Sequence, residues 1–313
     1  MPEPAVHSRA AVPQATRCGF IAILGAPNVG KSTLLNRLVG TKVSIVSPKV
    51  QTTRRRILGI TVRGPAQLVF VDTPGIFTPS PGRRLERAMV QTAWRSVADT
   101  DRQVLVVDAR RGVDRDTEMI LAELKKSGRR LTLAINKLDL VKPPAVLPLI
   151  ERLNQSGLFD RVFIVSALNG DGCEDLLNAL AEDLPEGPWL FPEDQLSDLS
   201  QRAMAAEITR EKLFEQLHQE LPYSLTVETE NWAAAADGSE IRIDQTIYVQ
   251  RESQKAIVLG KGGRQIKTVG QAARAELEQM LGCRVHLFLF VKVREKWTAD
   301  PERYQELGIE FPG

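Results

Sequence analysis

The sequence is poor in the features that mark secreted and membrane-spanning proteins. Its three cysteines are far apart and form no CxxC pair, so neither a disulfide framework nor a zinc site is indicated. No apolar run reaches the ~18 residues of a membrane-spanning helix, and the first sixteen residues lack the apolar core of a signal peptide. The three cysteines are Cys18, Cys173 and Cys283. We therefore expect a cytoplasmic protein in a reducing setting.

Histidine is also scarce, and charge of neither sign predominates. The three histidines are isolated along the chain, so no serine, cysteine or histidine arrangement for covalent catalysis is indicated. The formal net charge is +2, which excludes neither an acidic nor a basic partner. A length of 313 residues favours two domains, each large enough to bury its own core.

The first half of the chain alternates short apolar runs with helical segments. Runs typical of buried parallel strands occupy residues 20–24, 68–71, 104–107, 131–135 and 162–165. Segments with helical spacing occupy residues 32–39, 84–98, 117–127, 145–156 and 174–184. A further strand at 56–63 is followed so closely by the next that this pair should be antiparallel. The pattern predicts an α/β domain at 17–184 with a mixed, mostly parallel sheet, preceded by a flexible N-terminal tail at 1–16.

The alternation stops at residues 185–200, which we interpret as a linker because three prolines and a glycine interrupt any helix there. Beyond it the order is a helix, two strands, two helices and a last strand. This order predicts a smaller α+β domain at 201–298, followed by a C-terminal tail at 299–313.

A phosphate-binding loop is predicted directly after the first strand. Residues 25–32, GAPNVGKS, satisfy the GxxxxGK[ST] pattern between a predicted strand and a predicted helix. The glycines let backbone N–H groups converge on phosphate oxygens, and the helix N-terminus adds partial positive charge. We expect Lys31 to contact the β- and γ-phosphates and Ser32 to ligate Mg²⁺. The predicted nucleotide contacts of this loop are Gly25, Ala26, Pro27, Asn28, Val29, Gly30, Lys31, Ser32 and Thr33.

A second phosphate-side element, Asp72-Thr73-Pro74-Gly75, follows the strand at 68–71. It lies at the edge where open α/β sheets place their ligands. Asp72 can reach the Mg²⁺ through water, and the Gly75 N–H can meet the γ-phosphate. The same four residues would also suit a plain turn, but their position after a strand and a phosphate loop favours a site.

The segment NKLD, residues 136–139, follows the strand at 131–135 and indicates which base is bound. The Asp139 carboxylate can accept hydrogen bonds from guanine N1–H and the exocyclic amine. Adenine has no such donor pair and would leave that carboxylate unpaired, so guanine is favoured. The next strand ends in a segment whose backbone N–H can meet guanine O6. The predicted base contacts are Asn136, Lys137, Asp139, Ser166, Ala167 and Leu168.

The ordered set GAPNVGKS, a threonine-bearing switch, DTPG, NKLD and SAL resembles the translation-factor-related class of Ras-like GTPases over residues 19–184. The resemblance implies that one switch threonine, Thr52 or Thr53, senses Mg²⁺ and the γ-phosphate, and the sequence does not choose between them. The candidate catalytic residues are then Lys31, Thr52, Thr53 and Gly75.

Two residues bear on the rate of hydrolysis. Ras-like enzymes carry a water-orienting glutamine where this chain has Ile76, so slow intrinsic hydrolysis is expected. Asn28 resembles the asparagine by which some relatives bind a K⁺ ion that replaces an arginine finger. Potassium activation is therefore a hypothesis.

The second predicted domain contains a glycine turn, GKGG at 260–263, between an apolar and a helical segment. The turn and the order of elements resemble a type II KH domain, whose GXXG loop clamps about four single-stranded nucleotides. Residues 255–296 hold nine basic and three acidic residues, a balance that favours a phosphate backbone as partner. The predicted RNA contacts are Ile257, Gly260, Lys261, Gly262, Gly263, Arg264, Ile266 and Lys267.

Over nearly its whole length the chain resembles a bacterial family of GTPases that carry a type II KH domain. The resemblance implies binding of ribosomal RNA near the 3′ end of 16S rRNA, a role in assembly of the small (30S) ribosomal subunit, and peripheral association with the inner membrane. We expect a monomer. Two functions stay open: a GTP-dependent switch of RNA affinity, and a constitutive RNA-binding scaffold with GTP as a structural ligand. NKLD disfavours an ATP-dependent RNA enzyme.

Overall fold

The structure is a computed structural model that describes residues 15–49, 52–80, 83–217 and 224–295. Of the predicted tails, residues 1–14 and all of 299–313 lie outside the described residues. No described helix combines the length and the apolar character needed to cross a membrane.

The first part of the chain forms a six-stranded sheet in the order β2-β3-β1-β4-β5-β6. The strands are β1 (Arg17–Leu24), β2 (Ile57–Arg63), β3 (Ala66–Asp72), β4 (Arg102–Asp108), β5 (Leu131–Asn136) and β6 (Phe159–Ile164). In this sheet β2 and β3 pair antiparallel across a short turn, whereas the other neighbours pair parallel. The predicted mixed, mostly parallel sheet is confirmed.

Helices alternate with these strands and cover the sheet. They are α1 (Lys31–Val39), α2 (Arg84–Ala98), α3 (Arg115–Ser127), α4 (Leu147–Asn154) and α5 (Cys173–Glu182). Strands β3 and β5 are buried along their whole length, which is why they appear as continuous apolar runs in the sequence. Because β1, β3 and β5 run parallel, their carboxyl ends meet at one edge of the sheet, and each is followed by one of the predicted motifs.

The second part of the chain is a three-stranded sheet, β7-β8-β9, packed against helices. Its elements are α6 (Gln201–Gln216), β7 (Leu225–Ala234), β8 (Glu240–Val249), α7 (Glu252–Leu259), α8 (Arg264–Leu281) and β9 (Arg284–Val293). Helix α6 begins where the Ser200 side chain accepts a hydrogen bond from the Ala203 N–H, a standard N-cap. The predicted α-β-β-α-α-β order is confirmed.

The segment between the two parts, residues 185–200, is packed along the first sheet. Trp189 and Phe191 cover apolar side chains of β1, β2 and β3, and the Gln67 side chain accepts hydrogen bonds from the backbone of Leu190 and Phe191 at 2.9 and 3.0 Å. Ser197 pairs with Gly59 along the open edge of β2, which protects an edge strand from foreign pairing. This linker strap (residues 185–200) thereby holds the start of α6 beside β2.

Candidate functional site

The phosphate loop connects β1 to α1 through backbone conformations that only glycine adopts readily. Gly25 has φ 147° and Gly30 has φ 97°. A Cβ on Gly30 would lie 2.3 Å from the Asn136 side chain, and one on Gly25 would lie 2.5 Å from the Val106 carbonyl oxygen. The tight packing explains why the pattern requires both glycines.

This loop and the switch residues line a cavity of about 330 Å³. The cavity brings together many of the residues predicted from separate motifs. Those residues are Pro27, Asn28, Gly30, Lys31, Ser32, Thr33, Thr52, Thr53, Gly75 and Lys137. Residues 45–48 also line the cavity, which the sequence motifs did not indicate.

Lys31 is almost fully buried at the floor of the cavity. Its Nζ donates to the carbonyls of Gly25 and Ala26 at 3.2 and 3.0 Å. Burial lowers the pKa of Lys31 to about 8, although the nearby Asp72 charge opposes this shift. A desolvated ammonium group held only by neutral carbonyls gains strong electrostatic stabilisation when negatively charged phosphate oxygens bind beside it. The position of Lys31 therefore suits a phosphate ligand.

Four side-chain oxygens converge beside Lys31. Asp72 Oδ2 accepts hydrogen bonds from Ser32 Oγ at 2.8 Å and Ser44 Oγ at 3.0 Å, and Thr53 Oγ1 lies 2.9 Å from Ser32 Oγ. Burial raises the pKa of Asp72, against the Lys31 charge and these hydroxyl hydrogen bonds. Ser44 was missed from the sequence because its segment carries no motif.

This oxygen set fits a magnesium ion. Asp72 Oδ1 is buried and finds no hydrogen-bond partner within the described part of the chain, so one carboxylate oxygen is desolvated without compensation. Carboxylate and hydroxyl oxygens are the donors that Mg²⁺ prefers. Ser32, Thr53 and Asp72 are accordingly the residues that would hold the ion.

The structure distinguishes the two switch threonines. Thr53 Oγ1 faces Ser32 and Asp72, whereas Thr52 Oγ1 donates to the Lys49 carbonyl at 2.7 Å and lies 2.7 Å from Ser47 Oγ. Thr52 is therefore directed back into its own loop. The geometry favours Thr53 over Thr52 as the metal ligand.

The base side of the site is held together by Asn136. Its Nδ2 donates to the Val29 carbonyl at 2.9 Å, and its Oδ1 accepts from the Ala167 N–H at 3.0 Å. Ser166 Oγ donates to Asp139 Oδ1 at 2.6 Å, which orients that carboxylate. Leu168 is exposed beside them. The NKLD and SAL segments and the phosphate loop thus form one connected unit.

Lys137 has φ 67° in the left-handed region and reaches back along the phosphate loop. Its Nζ donates to the Asn28 carbonyl at 2.6 Å and pairs with Asp108 at 2.7 Å. Asp108, at the end of β4, was another residue without a sequence signal. Asn28 also has a positive φ, 63°, and its Nδ2 donates to the Pro48 carbonyl at 2.8 Å, so it joins the phosphate loop to the switch.

Beyond Asp72, the DTPG segment braces the site rather than supplying side chains to it. Thr73 is buried, and its hydroxyl donates to the Ile23 carbonyl at 3.1 Å, so this side chain supports the strand ends. A Cβ on Gly75 would lie 3.0 Å from Pro27, so the backbone after Pro74 lies directly against the phosphate loop. Ile76 is fully buried in the core. The Ile76 side chain therefore cannot orient a water molecule in the cavity.

The glycine turn of the second part joins α7 to α8 and is open to solvent. Gly260, Gly262 and Gly263 all have positive φ, and a Cβ on Gly262 or Gly263 would meet nothing within 4 Å. Ile257 is 56% exposed next to the turn. Lys261, Arg264 and Lys267 are exposed around it, and Ile266 is partly buried. An open, cationic glycine turn beside an apolar side chain is suited to a nucleic-acid backbone.

This geometry assigns the protein to the P-loop GTPases that carry a KH domain. The family model described as "50S ribosome-binding GTPase" matches residues 20–137, and that described as "KH domain" matches residues 220–298. GTPase Era of Brucella suis biovar 1 (strain 1330) is 57% identical over 297 residues, 95% of this chain and 94% of that protein. GTPase Era of Rhizobium meliloti (strain 1021) is 58% identical with the same coverage. The chain belongs to the Era family of GTPases.

Solved structures agree with this assignment. The crystal structure of Era in complex with MgGDPNP and nucleotides 1506–1542 of 16S ribosomal RNA matches with a TM-score of 0.88 and 40% identity, over 94% of this chain and 99% of that chain. A variant of Aquifex aeolicus Era bound to GDP and AlF4⁻ matches with the same values. The predicted GTPase activity and two-part fold are confirmed.

Proposed function

We propose that this GTPase binds single-stranded ribosomal RNA near the 3′ end of 16S rRNA through its KH domain, and that the bound nucleotide sets the RNA affinity during 30S subunit assembly. The observation that carries the proposal is the open glycine turn at 260–263, which contains the exposed Lys261 and is followed by the exposed Arg264 and Lys267. The 16S segment bound to the matching Era structure supports this RNA as the ligand.

In the nucleotide site, each residue has a proposed task. Backbone N–H groups within the phosphate loop, where Pro27 has none, and the Lys31 ammonium bind the phosphates, and the Gly75 N–H meets the γ-phosphate. Asp139 accepts hydrogen bonds from guanine, while Asn136 and Ser166 orient the surrounding loops. Ser32, Thr53 and Asp72 would hold Mg²⁺, which would supply positive charge to the phosphate oxygens.

Slow intrinsic hydrolysis is expected because position 76 carries isoleucine instead of a water-orienting glutamine. Because Ile76 is buried, water is not oriented by a side chain there, and rate enhancement depends on positioning and electrostatic stabilisation. We propose that Asn28 binds K⁺ at the mouth of the cavity, where it already joins the phosphate loop to the switch. A monovalent cation there would add positive charge near the transferring phosphate.

The RNA proposal is tested by measuring the affinity for a 16S 3′-end oligonucleotide with a GTP analogue, with GDP and without nucleotide. A K261A/R264A double variant should bind about 10- to 100-fold more weakly and lower the salt slope by about two charges. The control is K125A/K126A, which removes two exposed lysines from α3. Equal RNA affinity in all three nucleotide states would favour the constitutive scaffold, and unchanged binding by K261A/R264A would contradict the RNA site.

Domain organisation, oligomeric state and location complete the proposal. Residues 17–184 and 201–298 act as two domains joined by 185–200, and the protein works as a monomer. It resides in the cytoplasm and associates peripherally with the inner membrane, which the sequence resemblance alone supports. Flotation with anionic lipid vesicles tests this association: salt-sensitive co-flotation supports it, and absence from vesicles at low salt contradicts it.

A further inference from the structure

The switch segment (residues 42–49 and 52–54) lies against helix α6 of the KH domain. Val46 N–H donates to Glu211 Oε1 at 2.8 Å, and Lys42 Nζ pairs with Glu211 Oε2 at 2.5 Å. Lys49 Nζ donates to the carbonyls of Phe214 and Leu217 at the end of α6. The contact thus runs along the switch segment and involves backbone as well as side chains.

Two arginines cross between the domains at the end of this contact. Arg210 of α6 donates from Nη2 to the Thr52 carbonyl at 2.6 Å, and Arg54 of the switch segment donates from Nη1 to the Leu225 carbonyl at 2.6 Å. Both arginines are almost fully buried, at 2% and 1% exposure. Each guanidinium group is therefore held by the backbone of the opposite domain.

The ring of Phe214 lies within cation–π distance of both arginines. Its centroid is 5.1 Å from the Arg210 guanidinium carbon and 5.5 Å from that of Arg54, and the ring is fully buried. Cation–π attraction is strongest for desolvated groups such as these. Glu207 pairs with Arg210 one helical turn earlier, which offsets part of the cost of burying its charge.

Only one peptide unit separates the Arg210 contact from the residues that would hold Mg²⁺. The Thr52 carbonyl accepts from Arg210, and the next side chain, Thr53, places its Oγ1 2.9 Å from Ser32 Oγ and 3.4 Å from Asp72 Oδ2. A backbone fixed at the Thr52 carbonyl restricts where the Thr53 hydroxyl can lie.

We propose that Arg210 and Phe214 of the KH domain are positioning residues for the GTP site. Arg210 holds the Thr52 carbonyl and so presents Thr53 to the metal, and the Phe214 ring packs against the Arg210 guanidinium group. The inference rests on the proposed role of Thr53 as a Mg²⁺ ligand. Its consequence is that the KH domain sets part of the affinity for Mg²⁺ and GTP. Since coupling free energies are reciprocal, a ligand that displaces α6 changes that affinity by the same factor by which nucleotide changes its own.

The alternative is a junction that only stabilises the fold, and helix α6 offers a matched control for it. Arg202 lies on the same helix and donates to the carbonyls of Thr229 and Glu230, which belong to its own domain. Arg202→Ala therefore removes an arginine-to-carbonyl contact without touching the switch segment. Phe214→Leu serves as a second variant that keeps most of the buried apolar volume.

The experiment measures how fast a fluorescent, non-hydrolysable GTP analogue dissociates from the full-length protein as Mg²⁺ is titrated, together with the thermal unfolding midpoint. Arg210→Ala should raise the Mg²⁺ concentration needed for half-maximal retention by about tenfold, the size expected for one hydrogen bond from a charged donor. Phe214→Leu should raise it by about threefold, and Arg202→Ala by less than about twofold, even where the unfolding midpoint falls.

A Thr53→Ala background separates the role of Thr53 as a Mg²⁺ ligand from the positioning role of Arg210. If Arg210 acts through Thr53, Arg210→Ala should add less than about twofold there. Thr53→Ala with an unchanged Mg²⁺ requirement would refute the role of Thr53, and the positioning inference with it. If Thr53→Ala raises the requirement while Arg210→Ala matches Arg202→Ala, or acts equally in both backgrounds, the positioning inference alone is wrong.

Discussion

At the scale of single residues, Asn136 makes the nucleotide site one unit. Its amide joins the Val29 carbonyl of the phosphate loop to the Ala167 N–H of the SAL segment, loops that are far apart in sequence. The side chain is buried, so both hydrogen bonds form away from water. Removal of the amide would leave a buried donor and acceptor without partners.

Asn136→Ala should therefore lower the free energy of unfolding by about 2 kcal/mol and weaken GDP binding as well. Urea unfolding with and without GDP measures both effects. Asn178→Ala is the control, because its side chain accepts from Arg63 in an exposed contact and its loss should cost less than about 0.5 kcal/mol. Equal losses in the two variants would contradict the bracing role of Asn136.

Asn28 allows a second prediction at this scale. GTP turnover of the native protein should be about tenfold faster in K⁺ than in Na⁺ buffer, a barrier difference of about 1.4 kcal/mol. Asn28→Ala should abolish this preference. Asn28→Gly should do so too while tolerating the φ of 63°, which separates loss of the amide from backbone strain. Equal turnover in both salts for the native protein and the variants would refute potassium activation.

At the scale of elements, the linker strap adds stability to the first domain. Trp189 packs on the apolar cluster formed by β1, β2 and β3, and its indole N–H donates to the Pro65 carbonyl at 3.0 Å. Leu190, its neighbour in sequence, is 57% exposed. The strap therefore contributes through alternate side chains, as a strand does.

Trp189→Ala should lower the free energy of unfolding by about 2 kcal/mol, because it removes buried ring area and one hydrogen bond. Leu190→Ala should change it by less than about 0.5 kcal/mol. Chemical denaturation followed by circular dichroism provides the measurement. A Trp189→Ala variant as stable as Leu190→Ala would mean that the strap is not part of the folded unit.

At the scale of the whole molecule, Glu276 of α8 joins the two domains electrostatically. It pairs with Lys42 of the switch segment and with Lys212 of α6, the latter at 2.8 Å. Burial acts to raise the pKa of Glu276, but hydrogen bonds and charge from Lys212 and Lys42 outweigh it and hold the pKa below its ordinary value of 4.5. A carboxyl with a lowered pKa stabilises the fold above its unfolded pKa, and this contribution disappears as pH falls through the folded pKa.

Glu276→Gln should accordingly destabilise the protein by about 1 kcal/mol at pH 7 and progressively less below about pH 4.5, where native Glu276 also becomes neutral. Denaturation curves across this pH range test the convergence. Glu123→Gln, which affects an exposed pair with Lys126, should cost less than about 0.5 kcal/mol at every pH. A difference between native protein and Glu276→Gln that persists at low pH would contradict the charge origin.

Much of the fold and of the nucleotide site could be predicted because the relevant signals are local. Apolar runs and helical spacing indicated the strands and helices, and GAPNVGKS, DTPG and NKLD are contiguous segments that each follow a strand. Parallel strands bring their carboxyl ends to one edge, so the motifs had to meet there. Ser44 and Asp108 have no comparable local pattern, and only their hydrogen bond or ion pair in the fold reveals them.

The sequence by itself thus determined the class of nucleotide site, the preference for guanine and the presence of a KH domain. The tertiary structure decided which threonine faces Asp72, where the linker strap packs, and that Arg54 and Arg210 cross between domains. The physical reason is whether the interacting residues are neighbours in sequence or are brought together only by folding. A local motif needs only its own backbone to act. The buried arginines depend on backbone carbonyls more than a hundred residues away, and the Thr53 hydroxyl depends on Ser32 and Asp72, which belong to other motifs and meet it only in the packed chain.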